Sequence, residues 1–231
     1  MMFEFDCVSY QYADTVGLDE VSFTIDAGDA VAIMGPNGSG KSTLFKLMCG
    51  LLKPTAGTYT YQHATPDFDQ LRQTVGFVFQ NSDVQLFNET VTDELAFGPL
   101  QLGLPEATVQ QRVADVIDLL GLASLANRVP YQLSGGEQKL VALGSVLTMN
   151  PQTIILDEPF NGLAISYQNR LIDLLNTLHA HGKTIIMSSH DFAKTVPMVD
   201  RIVTLNENHQ LDFATETSAL TVAQEELLNR L

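Results

Sequence analysis

Apolar and polar positions alternate twice near the start of the chain. Phe3, Phe5 and Cys7 are separated by Glu4 and Asp6, and Val21, Phe23 and Ile25 by Ser22 and Thr24. A two-residue period predicts strands buried on one face, as in an antiparallel sheet. Three other runs do not alternate: Ala30-Val-Ala-Ile-Met34, Thr153-Ile-Ile-Leu-Asp157 and Thr184-Ile-Ile-Met-Ser188. Such runs predict strands covered on both faces. Helical patterning follows each, the first over residues 41–52 and stopping before Lys53-Pro54. The alternation of strand and helix predicts an α/β fold with a mainly parallel core sheet, joined by an N-terminal antiparallel β subdomain.

The middle third has a different period. Over residues 106–120, Val109, Val113, Val116, Ile117 and Leu120 share one helical face, with Pro105 before them and Gly121 after. Residues 92–97 and 138–149 are also helical in pattern. Residues 81–150 therefore read as a helical insertion subdomain, with 1–80 and 151–231 forming the β core of one domain. The longest uncharged run, residues 140–156, contains Asn150, Pro151 and Gln152. It reads as helix, turn and buried strand rather than as a membrane span. Residues 222–231 form a last helical stretch, a candidate for packing at a subunit interface.

Composition narrows the partners. The chain has 231 residues, 45% of them hydrophobic, so it can bury a sizeable core. Its formal net charge of −15 argues against nucleic acid, which rewards a basic face, and against docking on anionic lipid. No basic region followed by an apolar one marks the N-terminus, and only Cys7 and Cys49 are present, far apart. Both features predict a soluble protein of a reducing, cytoplasmic compartment.

Three segments carry chemistry. Gly35-Pro36-Asn37-Gly38-Ser39-Gly40-Lys41-Ser42 fits the phosphate-binding G-x-x-x-x-G-K-[ST] pattern between a strand and a helix. Its glycines let backbone N–H groups turn onto phosphate oxygens, and the helix N-terminus, with Thr43 in its first turn, adds positive potential. Lys41 supplies charge to the β- and γ-phosphates, and Ser42 a hard oxygen for Mg²⁺. The glycine spacing disfavours a dinucleotide fold. Asp157 and Glu158 end an apolar strand, where an α/β sheet binds ligands. Asp157 suits Mg²⁺, and Glu158 suits a general base for an attacking water. In Leu133-Ser134-Gly135-Gly136-Glu137-Gln138, a hydroxyl and free N–H groups before a helix offer a second phosphate cradle.

This last motif resembles the signature of ATP-binding cassette (ABC) ATPases, and the order and spacing of all three segments match that P-loop NTPase family along nearly the whole chain. The resemblance implies ATP and Mg²⁺ as ligands. It also implies a head-to-tail dimer, in which the signature motif of one subunit caps the nucleotide on the phosphate loop of the other. Gln80 matches the family glutamine that contacts Mg²⁺ and the attacking water, His190 the histidine that reads the γ-phosphate, and Tyr12 the aromatic that stacks on adenine. A surface tyrosine is the alternative for Tyr12. The pair His179 and His181 fits no zinc spacing and reads as a solvated helix end.

The stretch FQNSDVQLFNETVTDELAFGPLQLGL, residues 79–104, is similar to the cobalt-type ATPases of energy-coupling factor (ECF) transporters, which import vitamins and transition-metal ions. That likeness implies a second ATPase, a transmembrane coupling protein and a substrate-binding membrane subunit as partners, and a peripheral place on the cytoplasmic face of the membrane. Residues 80–98 would line a groove for a coupling helix, with Phe87, Leu95 and Phe97 as apolar anchors and Asp83, Glu89, Asp93 and Glu94 as an acidic rim. Leu95 and Phe97 are equally readable as subdomain core. Two positions depart from the family pattern: Ala164 stands where an Asp is usual in the loop that meets the other subunit, and Leu140 where an Arg follows the signature. They leave a weakly hydrolytic partner subunit as a competing reading. The absence of a coiled-coil insertion or basic surface disfavours an ATPase acting on DNA or the ribosome.

Overall fold

The computed structural model describes residues 1–230, so Leu231 of the last helical stretch lies outside the described residues. The chain runs through β1 (Phe3–Gln11), β2 (Val16–Ile25), β3 (Ala30–Met34), α1 (Lys41–Met48), β4 (Ala56–Tyr61), α2 (Phe68–Thr74) and β5 (Val75–Val78). Helices α3 (Val91–Gln101), α4 (Glu106–Leu120) and α5 (Gly135–Leu147) follow with no strand between them. The chain then alternates through β6 (Thr153–Leu156), α6 (Ile165–Ala180), β7 (Thr184–Ser188), α7 (Phe192–Thr195), β8 (Arg201–Leu205), β9 (Leu211–Glu216) and α8 (Val222–Leu228).

Strands β2, β1 and β4 pair antiparallel in that order. Phe5 stands opposite both Phe23 and Tyr59, and its ring stacks between theirs at 4.9 and 5.1 Å, the cross-strand packing that holds this sheet together. The alternation read from the sequence breaks after Phe5. Cys7 takes a left-handed φ of 48° and is exposed, and the buried position passes to Val8. A β-bulge is the cause: the register with both neighbours shifts here, and the Cys7 N–H donates to Ser22 Oγ (2.8 Å) instead of to a ladder carbonyl.

The second sheet has the order β5-β6-β7-β3-β8-β9, parallel except for the terminal β8–β9 hairpin. Residues of alternate parity face different cores. Val31, Ile33, Ile155 and Ile186 join α1 and the antiparallel sheet on one side. Ala32, Met34, Ile154, Leu156 and Met187 join α3, α4, α5 and α6 on the other. The unalternating runs are thus buried twice over, as two-sided cover requires. Helix α1 ends at Met48, short of the expected residue 52, because Gly50 turns the chain with a φ of 73°. His179 is not simply solvated: its Nε2 lies 3.1 Å from Asp200 Oδ2, tying α6 to the start of β8. Helix α8 anchors to its own chain through the buried Leu228, while Val222 and Leu227 remain exposed. No helix among the described residues is long and apolar enough to cross a membrane.

Strands β5, β6, β7 and β3 are consecutive and parallel, so their C-terminal ends lie along one edge. Gln80, Asp157 with Glu158, His190 and the glycine-rich loop follow these four ends.

Candidate active site

The loop after β3 leads into α1 through Gly40, which has a φ of 105° and offers no side-chain cap to the helix. The first N–H groups of α1 have no intrahelical acceptor, so they are open to an anion. Glycine is required at two places here. A Cβ on Gly40 would lie 2.2 Å from the Gly17 carbonyl oxygen, and one on Gly35 would lie 2.3 Å from that of Leu205. Lys41 Nζ folds into the loop, donating to Gly35 O (2.7 Å) and Pro36 O (3.0 Å), and the side chain is only 8% exposed. Burial pulls its pKa below the usual lysine value, while the charges of Glu158 and Asp157 oppose that pull.

A cleft of about 470 Å³ opens over this loop, with Asn37, Gly38, Lys41, Ser42 and Thr43 on one side and Gln80, Asp157, Glu158 and His190 on the other. Ser42 Oγ donates to Asp157 Oδ2 (2.8 Å), and the buried Ser188 Oγ donates to Asp157 Oδ1 (2.7 Å). Glu158 has a left-handed φ of 48°, and its N–H donates to Ser188 Oγ (2.7 Å). Its Oε2 lies 2.9 Å from His190 Nδ1, with the carboxylate 12% and the imidazole 60% exposed. An ionised carboxylate only accepts, so Nδ1 carries the proton in this contact and Nε2 is left to the cleft. The hydroxyl and carboxylate of Ser42 and Asp157, with the Gln80 amide, are hard oxygen donors that fit Mg²⁺ in company with phosphate.

A second recess adjoins the loop. Tyr12 Oη lies 3.2 Å from Thr43 Oγ1, and the ring meets Tyr10 edge-on at 4.8 Å. Glu207, Asn208 and His209 of the β8–β9 turn line the same recess. The Asp19 N–H donates to His209 O (2.9 Å) and the Asp19 carboxylate accepts from Gln210 Nε2 (2.8 Å), which holds this turn beside β2. The turn was not legible as a site element, because nothing in its own residues marks it.

Ser134, Gly135, Gly136 and Glu137 do not border the cleft of Lys41. Ser134 N-caps α5 in a capping box with Glu137, and its Oγ donates to Glu137 Oε2 (2.6 Å). That bond and the one from the Ser134 N–H hold the Glu137 carboxyl below its ordinary pKa. The Ser134 hydroxyl is therefore engaged within its own helix, and the first-turn N–H groups are the part of this cradle left open. Ala164 occupies the N-cap of α6, three residues after Asn161 of the cleft, and makes no side-chain cap.

The stretch expected to line a coupling groove contributes to a recess on the helical subdomain. A recess of about 320 Å³ is lined by Phe77, Phe79, Phe87, Phe97 and Met149. Phe87, 66% exposed, packs edge-on against Phe97 at 4.9 Å. Leu95 is not an anchor, since it is fully buried in the helical core. Glu94 is not part of an acidic rim either. It is 3% exposed, and its Oε2 accepts from Phe87 N, Asn88 N and Asn88 Nδ2, holding the loop that presents Phe87. Asp83, Glu89 and Asp93 are exposed.

Two residues not singled out in the sequence complete the frame. Ser188, a buried polar residue at a strand end, braces both acids, and that position was its available signal. Lys139 Nζ donates to Glu158 O (3.1 Å) and Asn161 O (2.7 Å), a contact between elements that no local pattern announces.

Comparison with known proteins gives a consistent neighbourhood. Residues 18–161 match the family described as ABC transporter. The chain is 52% identical over 89% of both lengths to the nickel import ATP-binding protein LarO of Lactiplantibacillus plantarum. It is 42% identical to the energy-coupling factor transporter ATP-binding protein EcfA of Methanothermobacter thermautotrophicus, over 89% of this chain and 68% of that one. Among solved structures, CbiO1 of Clostridium perfringens, part of the ABC transporter complex CbiONQ, superposes with a TM-score of 0.86 at 30% identity, covering 99% and 93% of the two chains. The dimeric ATP-binding cassette MJ0796 in a post-hydrolysis state with ADP and Pi superposes at 0.84 with 27% identity, over 95% of this chain and all of that one.

Proposed function

The chain belongs to the ABC transporter ATP-binding family, and on that footing we propose that it binds and hydrolyses ATP as a motor subunit of an ECF-type importer whose cargo is a transition-metal ion. One observation carries the hydrolytic part: Lys41, Ser42, Gln80, Asp157, Glu158 and His190 converge on one cleft from four neighbouring strand ends. The metal cargo rests on the likeness to a nickel-import ATPase and to the ATPase of CbiONQ.

In this reading the loop of residues 35–43 wraps the phosphates through its N–H groups, and Lys41 turns from its two carbonyls to the β- and γ-phosphates. Ser42, Asp157 and Gln80 would hold Mg²⁺, which would supply charge neutralisation at the phosphate oxygens. Glu158 takes a proton from the attacking water, and His190, held beside Glu158, lies within reach of the γ-phosphate. Tyr12 carries the adenine. Ser134, Gly135, Gly136 and Glu137 stand apart from this cleft, which supports their serving the nucleotide of a second ATPase in a head-to-tail dimer. We treat residues 81–150 as the subdomain that meets a transmembrane coupling protein, and the chain as peripheral on the cytoplasmic membrane face; a further membrane subunit binds the cargo.

The groove test uses the exposed Phe87. Burying a phenylalanine contributes about 1.5–3 kcal/mol, so Phe87→Asp is expected to weaken co-purification with the membrane coupling protein by about 10- to 100-fold. Melting of the isolated chain should not change, because Phe87 is outside the core. Reversing Asp83 and Glu89 to Lys should remove the salt sensitivity of assembly. Assembly indifferent to all three changes would refute the groove. Loss of ATP-driven nickel uptake by Glu158→Gln in reconstituted vesicles tests the cargo. Uptake of a vitamin in place of nickel would overturn it.

Ala164 favours a refinement, an asymmetric heterodimer in which the site across from Ala164 is the slower. The structure adds a separate consequence, since position 164 is an empty N-cap with suitable backbone angles (φ −62°, ψ 150°). Ala164→Asp should stabilise the chain by about 1 kcal/mol and raise Tm by about 2–4 °C. It should also speed the partner's site, measured with this chain's own site silenced by Glu158→Gln. A higher Tm with no change at that site would reduce Ala164 to a missing cap.

A further inference from the structure

We propose that Lys139 is a positioning residue for hydrolysis: its ammonium ties the turn from Glu158 to Asn161 to α5 and so fixes the backbone that aims this chain's general base. The inference rests on the hydrolytic reading above and deepens it.

The Glu158 backbone is held at both of its polar groups. Its N–H is committed to Ser188 Oγ, which also holds Asp157. Its carbonyl faces Lys139 Nζ at 3.1 Å, and the same ammonium takes the Asn161 carbonyl at 2.7 Å. Within the turn, Asn161 N donates to Glu158 O (3.2 Å), and Phe160 O accepts from Leu163 N and Gln168 Nε2 (both 3.3 Å), with the Phe160 side chain in the core. Glu158 itself sits at a φ of 48°, an uncommon angle for a residue with a side chain. Lys139 is the charged donor on this turn, and it serves the carbonyls at both of its ends.

The other end of the clamp gives it meaning. Lys139 lies on α5 one turn beyond the Ser134 cap, so the helix that begins at the signature motif also carries the ammonium. Its neighbour Leu140, which stands where the family has an arginine, is buried against Val78, Leu156, Leu163 and Leu171 and offers no donor. Position 140 faces the core here, and Lys139 beside it faces the catalytic turn.

The test uses the full chain in its assembled complex. Lys139→Met keeps the length of the side chain and removes the donor, and it should lower kcat about 10- to 100-fold with KM for ATP unchanged, the signature of a displaced catalytic group rather than a lost binding contact. Lys139→Arg, which can serve both carbonyls, should restore most of the rate, and Lys139→Gln, with its shorter neutral amide, should fall between. Hydrogen exchange should accelerate in residues 158–164 of Lys139→Met and stay unchanged in α1. Wild-type kcat in Lys139→Met, unaltered exchange in that segment, or failure of Lys139→Arg to recover would each overturn the proposal. Absence of turnover in the wild-type complex would instead overturn the hydrolytic reading, and exchange would still decide whether Lys139 holds the turn.

Discussion

Replacing Glu158 with Gln should lower ATP turnover by about 10²–10⁴-fold while ATP stays bound, because the change removes a proton acceptor and little else. Glutamine has the shape of glutamate, so it can keep the 2.9 Å contact to His190 Nδ1 and the backbone bond to Ser188. Lys41, Ser42 and the open N–H groups of α1 are untouched, so the phosphates keep their partners. Phosphate release under saturating ATP measures the first effect and equilibrium binding of ATP the second. Near-normal turnover in the assembled complex would remove Glu158 from the role of base, and a parallel loss of binding would mean that the carboxylate organises the site rather than reacting in it.

Replacement of Lys41 with Met should have the opposite profile, with ATP affinity falling by about 10- to 100-fold. A hydrogen bond to a charged group contributes about 1.5–3 kcal/mol, which converts to that range. The loss is of two kinds. The point charge that phosphate would meet disappears, and the carbonyls of Gly35 and Pro36 lose the ammonium that they share in the free protein. Lys41→Arg should not rescue, because a planar fork does not fit a loop whose glycines leave no room for even a methyl group at Gly35 and Gly40. The stabilisation of the chain by Mg-ATP reports affinity directly, so the rise in Tm seen with wild type should shrink in both variants. An undiminished rise would show that backbone groups alone bind the phosphates.

The candidate site was legible in outline because its residues are announced by local patterns. A glycine spacing between strand and helix, an apolar strand ending in two acids, and a serine with two glycines before a helix each carry their geometry in a few neighbouring positions. The same holds for the buried strands, whose unalternating runs state that both faces are covered, and for α4, whose period, Pro105 and Gly121 match its observed limits. The third antiparallel strand, β4, was missed although Thr58-Tyr59-Thr60-Tyr61 alternates, and the β8–β9 hairpin was passed over as tail.

By itself, then, the sequence determined the family, the α/β core and the identity of the groups in the cleft. Tertiary structure alone decided how they are held. Periodicity reports which face of its own element a residue occupies, but not which group arrives there from elsewhere in the chain. That is why Glu94 read as a surface acid and proved to be a buried acceptor for the Phe87 loop. It is why Cys7 read as buried until a bulge moved the inward position to Val8. And Lys139, an ordinary helical lysine in the sequence, meets the carbonyl of Glu158 only because α5 packs beside the end of β6, two elements whose own patterns are independent of each other.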